Sequence, residues 1–238
     1  IEKKKTINSI KHNAIRETLS FFKIPDHLEI SSISDVPAGT GLGSSGTFLV
    51  GLINVVNSFY NKNLSRYELA DNACKIEMDI LKEPSGKQDP FISSYGGLKI
   101  IKISKNGKTK IEELKISQDF IDELDDSFLT YFTGYTRQSK NILGEQEKKT
   151  KKKNKELIQS LDFVKEIANE SINVFQRGSV QDYANLMNEH WNYKMKRSKN
   201  MSSNSINNLI EYGLKNGALG AKLIGAGGGG FVLFITKD

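Results

Sequence analysis

The stretch that most constrains this chain is PAGTGLGSSG, Pro37 to Gly46, where four of ten residues are glycine and an apolar run follows at once. Glycine lets backbone N–H groups approach a ligand with no side chain in between. The run after it, SSGTFLVGLINVVNSFY, predicts a helix over 44–60, with Phe48, Leu52, Val55, Val56 and Phe59 at helical spacing. The segment before it, HLEISSI over 27–33, predicts a short strand. A glycine loop running into a helix N-terminus, with its unsatisfied N–H donors and partial positive charge, is a cradle for an anion, phosphate above all.

Three kinds of phosphate loop compete for this stretch. A Walker A loop needs a lysine after its last glycine, and there is none. A dinucleotide fingerprint, G-x-G-x-x-G, is literally present at Gly41, Gly43 and Gly46. It also needs a second strand ending in an acid about 20 residues on, and the chain offers the polar NKNLSRYE there instead. The pattern P-x-G-x-G-L-G-S-S-[AG] is met at every position by Pro37, Gly39, Gly41, Leu42, Gly43, Ser44, Ser45 and Gly46.

Two carboxylates downstream suit phosphate chemistry. Ser65 and Glu68 form a capping-box pattern that starts a helix, stopped by Pro84. On it, Ala70, Ala73, Cys74, Ile80 and Leu81 make an apolar stripe, and Glu77 lies within that stripe. An inward carboxylate is costly unless a cation or hydrogen bonds meet it, so Glu77 is either a ligand or an edge residue reaching solvent. Asp79 falls off the stripe and reads as a surface residue. Asp89 precedes Pro90 and FISSYGG, which reads as a helix N-cap with proline at the first position. A cap and a catalytic role are compatible.

The rest of the chain reads as follows. A helix is expected over 6–22. LKIIKI at 98–103 is strand-like, and Asn106-Gly107 turns it into a hairpin. The pattern resets near 126: SFLTYFTG at 127–134 is strand-like, and helices follow at about 153–175, 180–197 and 204–216. The end, GALGAKLIGAGGGGFVLFITKD, is strand, glycine loop, strand. The expectation is an α+β chain in two domains, 1–125 and 126–238.

Composition narrows the setting. The longest apolar runs fall well short of the roughly 20 residues that cross a bilayer, the basic start lacks a secretory apolar core, and Cys74 is the only cysteine. A cytoplasmic chain with no membrane partner is expected. The net charge is +6, with much of the excess in KKTKKKNK, Lys148 to Lys155. Without interleaved aromatics this run reads as a solvated segment rather than a nucleic-acid surface. His190 and Trp191 read as a helix face, since His12 and His27 are too remote in sequence to complete a zinc set.

The loop, the Glu77–Asp89 region and the terminal glycines, taken together and in this order, resemble the GHMP small-molecule kinases. The resemblance spans about residues 10–235. It implies a first domain like the second domain of ribosomal protein S5 and a ferredoxin-like second domain. It implies ATP as phosphate donor, held by Pro37, Gly39, Thr40, Gly41, Leu42, Gly43, Ser44 and Ser45. It implies Mg2+ on Ser45 and Glu77, and Asp89 as the group that deprotonates or orients the attacking hydroxyl. Gly225 and Gly227 to Gly230 resemble the family's C-terminal glycine motif.

Within the family, EMDILKEPSGKQD, YGGLKII and YFTGYTRQSKNIL look most like sugar 1-kinases acting on heptose 7-phosphate or fucose. On that likeness Gln88, Thr133, Gly134, Arg137, Gly227 and Gly228 become candidate contacts for a sugar or sugar phosphate, with Arg137 suited to phosphate by its bidentate guanidinium. The family's opening segment, R-x-P-x-R-[IL]-x-[FL]-x-G, is not found in this sequence, so a truncated chain is expected. The rivals are a decarboxylase of the same superfamily, a non-catalytic nucleotide or sugar sensor, and a nucleic-acid binder using the lysine run. Oligomeric state is not legible.

Overall fold

This computed structural model describes residues 2–25, 27–136, 143–144, 150, 155–196 and 201–237. The chain divides into two compact units: Ile1–Ala38 with Gly43–Glu112, and Gly39–Leu42 with Glu113–Asp238. The glycine loop is thus shared out, its middle, Gly39–Leu42, counted with the second unit and both its start and the helix end with the first.

In the first unit the helix expected over 6–22 is two pieces, a 3-10 turn at Ile7–Ser9 and α1 at Asn13–Phe21. The interruption has a local cause. Ile10 is extended, and His12 restarts the helix as its N-cap, Nδ1 accepting the Ile15 N–H at 3.4 Å. The strand expected over 27–33 does not form; no ladder is present there among the described residues. Leu28 and Ile30 still pack on Leu19, Ile24, Leu52 and Val56. The alternation reports one-sided burial, which strand pairing is not needed to produce.

Helix α2, Ser44–Phe59, buries Leu49, Val50, Leu52, Ile53 and Val56. Val55 and Phe59, placed on its inner stripe by spacing, are 67% and 70% exposed. A helix apolar on most sides carries no unique inner face, and its neighbours choose one. Helix α3, Arg66–Cys74, opens with the expected capping box: Ser65 Oγ accepts the Glu68 N–H at 3.3 Å, and Glu68 Oε2 accepts the Ser65 N–H at 2.8 Å. It runs into a π-helical segment, Lys75–Ile80, where Leu81 N–H donates to Ile76 O at 2.9 Å. Five residues per step replace four, so Leu81 rather than Ile80 shares the Ile76 cluster, and Ile80 is 40% exposed. Helix α4, Gln88–Tyr95, and the hairpin of β1, Lys99–Ile103, and β2, Thr109–Glu113, complete the unit. The Asn106-Gly107 turn is as expected, closed by Ser104 N–H to Lys108 O at 2.9 Å.

The second unit starts with a helix the pattern reading did not contain, α5 at Gln118–Ser127. Its signal was present: Ser117 caps it through the Phe120 N–H at 3.3 Å, and Phe120 and Leu124, four apart, point into the core. This helix is why the compact units divide after Glu112, ahead of the 125 read from sequence. Strand β3, Phe128–Phe132, is followed by α6, Lys155–Arg177, α7, Val180–Met195, and α8, Asn204–Lys215. Strands β4, Ala218–Leu223, and β5, Phe231–Thr236, close the chain. The sheet is antiparallel in the order β3-β5-β4. Trp191, Ile206, Ile210, Ala221 and Val232 fill one cluster, and Phe120, Val180, Met187, Leu233 and Ile235 another. Asn188 on α7 serves the outer edge of β4, donating to Leu219 O and accepting from Ala221 N–H, each at 2.9 Å, which satisfies an otherwise open strand edge. The α+β class holds, and among the described residues no helix is long and apolar enough to cross a membrane.

Candidate active site

In the first unit the site is built on the start of α2. Gly43 is its N-cap at φ 69°, a left-handed conformation that glycine adopts without penalty. The first intrahelical bond is Thr47 N–H to Gly43 O at 3.0 Å. The N–H groups of Ser44, Ser45 and Gly46 therefore have no acceptor within the helix, and its positive end lies beside them.

Ser45 and Glu77 meet here. Ser45 Oγ donates to Glu77 Oε1 at 2.6 Å across 32 residues of sequence. Glu77 is 4% exposed, the inward one of the two positions the stripe left open, and it sits in the π-helical segment, a distortion common at functional positions. Asp79 is exposed, as expected. A buried carboxylate oxygen touching a hydroxyl oxygen is a hard donor pair that fits Mg2+, which takes one or two protein oxygens and completes its shell with phosphates and water.

Asp89 arrives from α4. Its side chain lies so close to α2 that a Cβ on Gly43 would stand 3.1 Å from the Asp89 Cγ. A Cβ on Gly46 would stand 2.9 Å from Pro90 Cδ. Bare backbone is what lets α4 bring its first turn onto the end of α2. The N-cap reading is corrected: Lys87 occupies the cap, and Asp89 is inside the first turn. Burial raises the Asp89 pKa above the ordinary aspartate value, and a long 3.4 Å hydrogen bond from Gln88 Nε2 opposes this weakly. Gln88 is thereby drawn beside the aspartate. Pro37, upstream in the same unit, is exposed.

In the second unit the two glycine motifs pack together. A Cβ on Gly41 would stand 2.8 Å from Ile224 O, and one on Gly225 would strike the Gly41 backbone. Phe231 N–H donates to Thr40 O at 3.3 Å, with Thr40 fully buried. Leu42 is 44% exposed. The repeated glycines of both motifs thus have a packing reason beside any ligand. Gly228 N–H donates to Met201 O at 2.8 Å, and Gly227 presses on Met201.

Thr133 is similarly occupied. Its N–H and Oγ1 both donate to Gly230 O, at 2.9 and 2.8 Å, while Gly230 N–H donates to Tyr135 O at 2.8 Å. Gly134 lies exposed within this clasp at φ 77°. Arg137 and most of the lysine run fall outside the described residues. Sequence reasoning passed over Lys194, whose ammonium is buried and donates to the Gly225 carbonyl. No periodicity distinguishes it from the lysines around it.

Comparison with known proteins places this geometry. The family model for the GHMP kinase N-terminal domain matches residues 6–97, and that for the C-terminal domain matches 171–238. The chain is 30% identical over 216 residues to a D-glycero-alpha-D-manno-heptose 7-phosphate kinase of Campylobacter jejuni, with 91% of this chain and 63% of that protein covered. It is 28% identical to a mevalonate kinase of Methanocaldococcus jannaschii, covering 94% of this chain and 67% of that one. The fold matches a crystal structure of a D-glycero-D-manno-heptose 1-phosphate kinase from Bacteroides thetaiotaomicron with a TM-score of 0.68 at 23% identity, over 94% of this chain and 62% of that one. The chain thus spans somewhat under two thirds of the first of these relatives. With both domain models matched in order, and together taking in more than half of its residues, this protein belongs to the GHMP kinase family.

Proposed function

We propose that the protein is an ATP-dependent sugar kinase that transfers the γ-phosphate to the anomeric oxygen of a heptose 7-phosphate or a closely related sugar. One observation carries the reading: Ser45, in the first turn of α2, is hydrogen-bonded to buried Glu77, and the Asp89 carboxyl lies against the same helix end. A phosphate cradle, a hard oxygen pair and a half-buried carboxylate are the parts phosphoryl transfer asks for.

In this mechanism the N–H groups of Ser44, Ser45 and Gly46 bind phosphate oxygens and hold them in line with the acceptor. Ser45 and Glu77 would hold Mg2+, which when bound supplies charge neutralisation at the phosphate oxygens. Asp89, its carboxylate made more basic by burial, orients the sugar hydroxyl and takes its proton as the new O–P bond forms and the bond to ADP breaks. Gln88, drawn beside Asp89 in the same first turn of α4, is the proposed sugar contact of this unit. The heptose assignment is supported by the 30% identical relative.

The test is ADP release by the full-length protein with ATP, Mg2+ and a panel of heptose 7-phosphate, fucose, galactose and mevalonate. Turnover with the heptose phosphate, lost on Asp89→Asn, is the expected result. Turnover only with mevalonate would overturn the sugar assignment, and ATP binding without turnover on any member would favour a sensor.

A further inference from the structure

In the second unit, α6, α7 and β4 line an open-sided cavity of about 220 Å3. None of its lining residues belongs to either glycine loop or to the Ser45, Glu77 and Asp89 group. Ile167, Phe175, Leu186 and Met187 make its walls apolar, and the remaining lining groups are Ser171, Tyr183, His190 and Lys222. Among the described residues, no carboxylate lines it.

Lys222 is the unusual member. It pairs with Leu233 across the β4–β5 ladder, on the side of the sheet where Phe175, Tyr183 and Met187 gather. Among the described residues no carboxylate or carbonyl meets its ammonium, and burial alone pulls its pKa below the ordinary lysine value. Lys222 is partly exposed, so its ammonium is reachable from solvent, and a bound anion would offer the counter-charge that none of the lining residues supplies. Tyr183 adds a second donor, because burial raises the pKa of its phenol and keeps the proton on. Ser171 has already committed its hydrogen to Ala168 O at 2.8 Å.

Charge and size narrow the occupant. A single lysine balances one negative charge, which suits a carboxylate better than a phosphate monoester. A cavity of about 150 Å3 takes a benzene ring, so this one has room for a ring with a short acid arm. We infer that the cavity is a binding site for a small monocarboxylate with an apolar, ring-sized body, its carboxylate on Lys222 and its body against Phe175 and Met187.

The probe is phenylacetate, with phenylacetamide as its neutral isostere, titrated calorimetrically and followed by NMR of the protein labelled at its methionine methyl groups. Phenylacetate should bind one to one and at least tenfold tighter than the amide. The Met187 signal, assigned through Met187→Leu, should shift while that of Met78 in the other unit stays in place. Lys222→Met, which keeps the stem and removes the charge, should abolish the preference for the acid. Equal affinity for acid and amide, an unmoved Met187 signal, or an undiminished preference in Lys222→Met would each overturn the inference. The Met187 readout uses the unaltered lysine, so it decides even if the variant folds poorly.

Discussion

Asp89 shows how one side chain sets stability against activity. Burial holds its carboxyl above the ordinary aspartate value, so the native state holds this proton more tightly than the unfolded chain does. Above both the folded and unfolded values, the native chain carries a charge that destabilises it. Below the unfolded value both states are protonated and the penalty is gone. Asp89→Asn should therefore melt at or above the wild-type temperature near pH 7, with the gap closing as pH falls below the ordinary aspartate range. The same variant should lose about 10²- to 10⁴-fold in turnover, measured by coupled ADP release. Ser45 behaves oppositely. Ser45→Ala leaves the buried Glu77 carboxylate without its donor and should cost about 1–3 kcal/mol in urea unfolding. Adding Glu77→Gln should recover part of that loss, because the group left unpaired is no longer charged. Cys74, buried with its thiol pKa pushed up to about 12, should resist thiol reagents in the native chain and react on unfolding.

Among the elements, the contact of α2 with α4 matters most, because it carries Asp89 to the cradle. It depends on Gly46, where even a methyl group would stand 2.9 Å from Pro90 Cδ and 3.0 Å from Pro90 N. In an isolated helix, alanine would be worth about 1 kcal/mol over glycine. Here it must push α4 away, and overpacking of this kind costs about 1–3 kcal/mol. Gly46→Ala should therefore be neutral to destabilising in thermal melts. Its larger effect should be on kcat, since a displaced α4 moves the Asp89 carboxyl from the helix end. The π-helical segment is the other decisive element: it keeps Glu77 inward while turning Ile80 out.

For the whole molecule, nucleotide linkage is the plainest test. A ligand that binds only the native chain at a hundredfold excess over its Kd adds about 2.7 kcal/mol. ATP with Mg2+ should therefore raise the melting temperature by several degrees, and Glu77→Gln should remove most of the magnesium-dependent part. Thermal shift with and without a chelator checks both. If instead the lysine run between Lys148 and Lys155 binds nucleic acid, affinity should fall steeply with salt; the family assignment gives no reason to expect it.

Local chemistry is what the amino-acid sequence determined unaided. The Ser65–Glu68 capping box, the Asn106-Gly107 turn and the glycine loop before α2 each depend on a few neighbouring residues, and each was legible there, whereas for Glu77 the stripe left an inward ligand and a solvent-reaching edge residue both open. The tertiary structure decided everything that needs a partner from afar. It chose which side of a largely apolar α2 faces inward, and it inserted the π-helical step that no α-helical period contains. It left 27–33 without a ladder, committed Thr133 to Gly230, and packed Gly41 against Gly225. Backbone groups far apart in sequence meet only when the chain has folded, and a one-dimensional pattern has no term for that meeting.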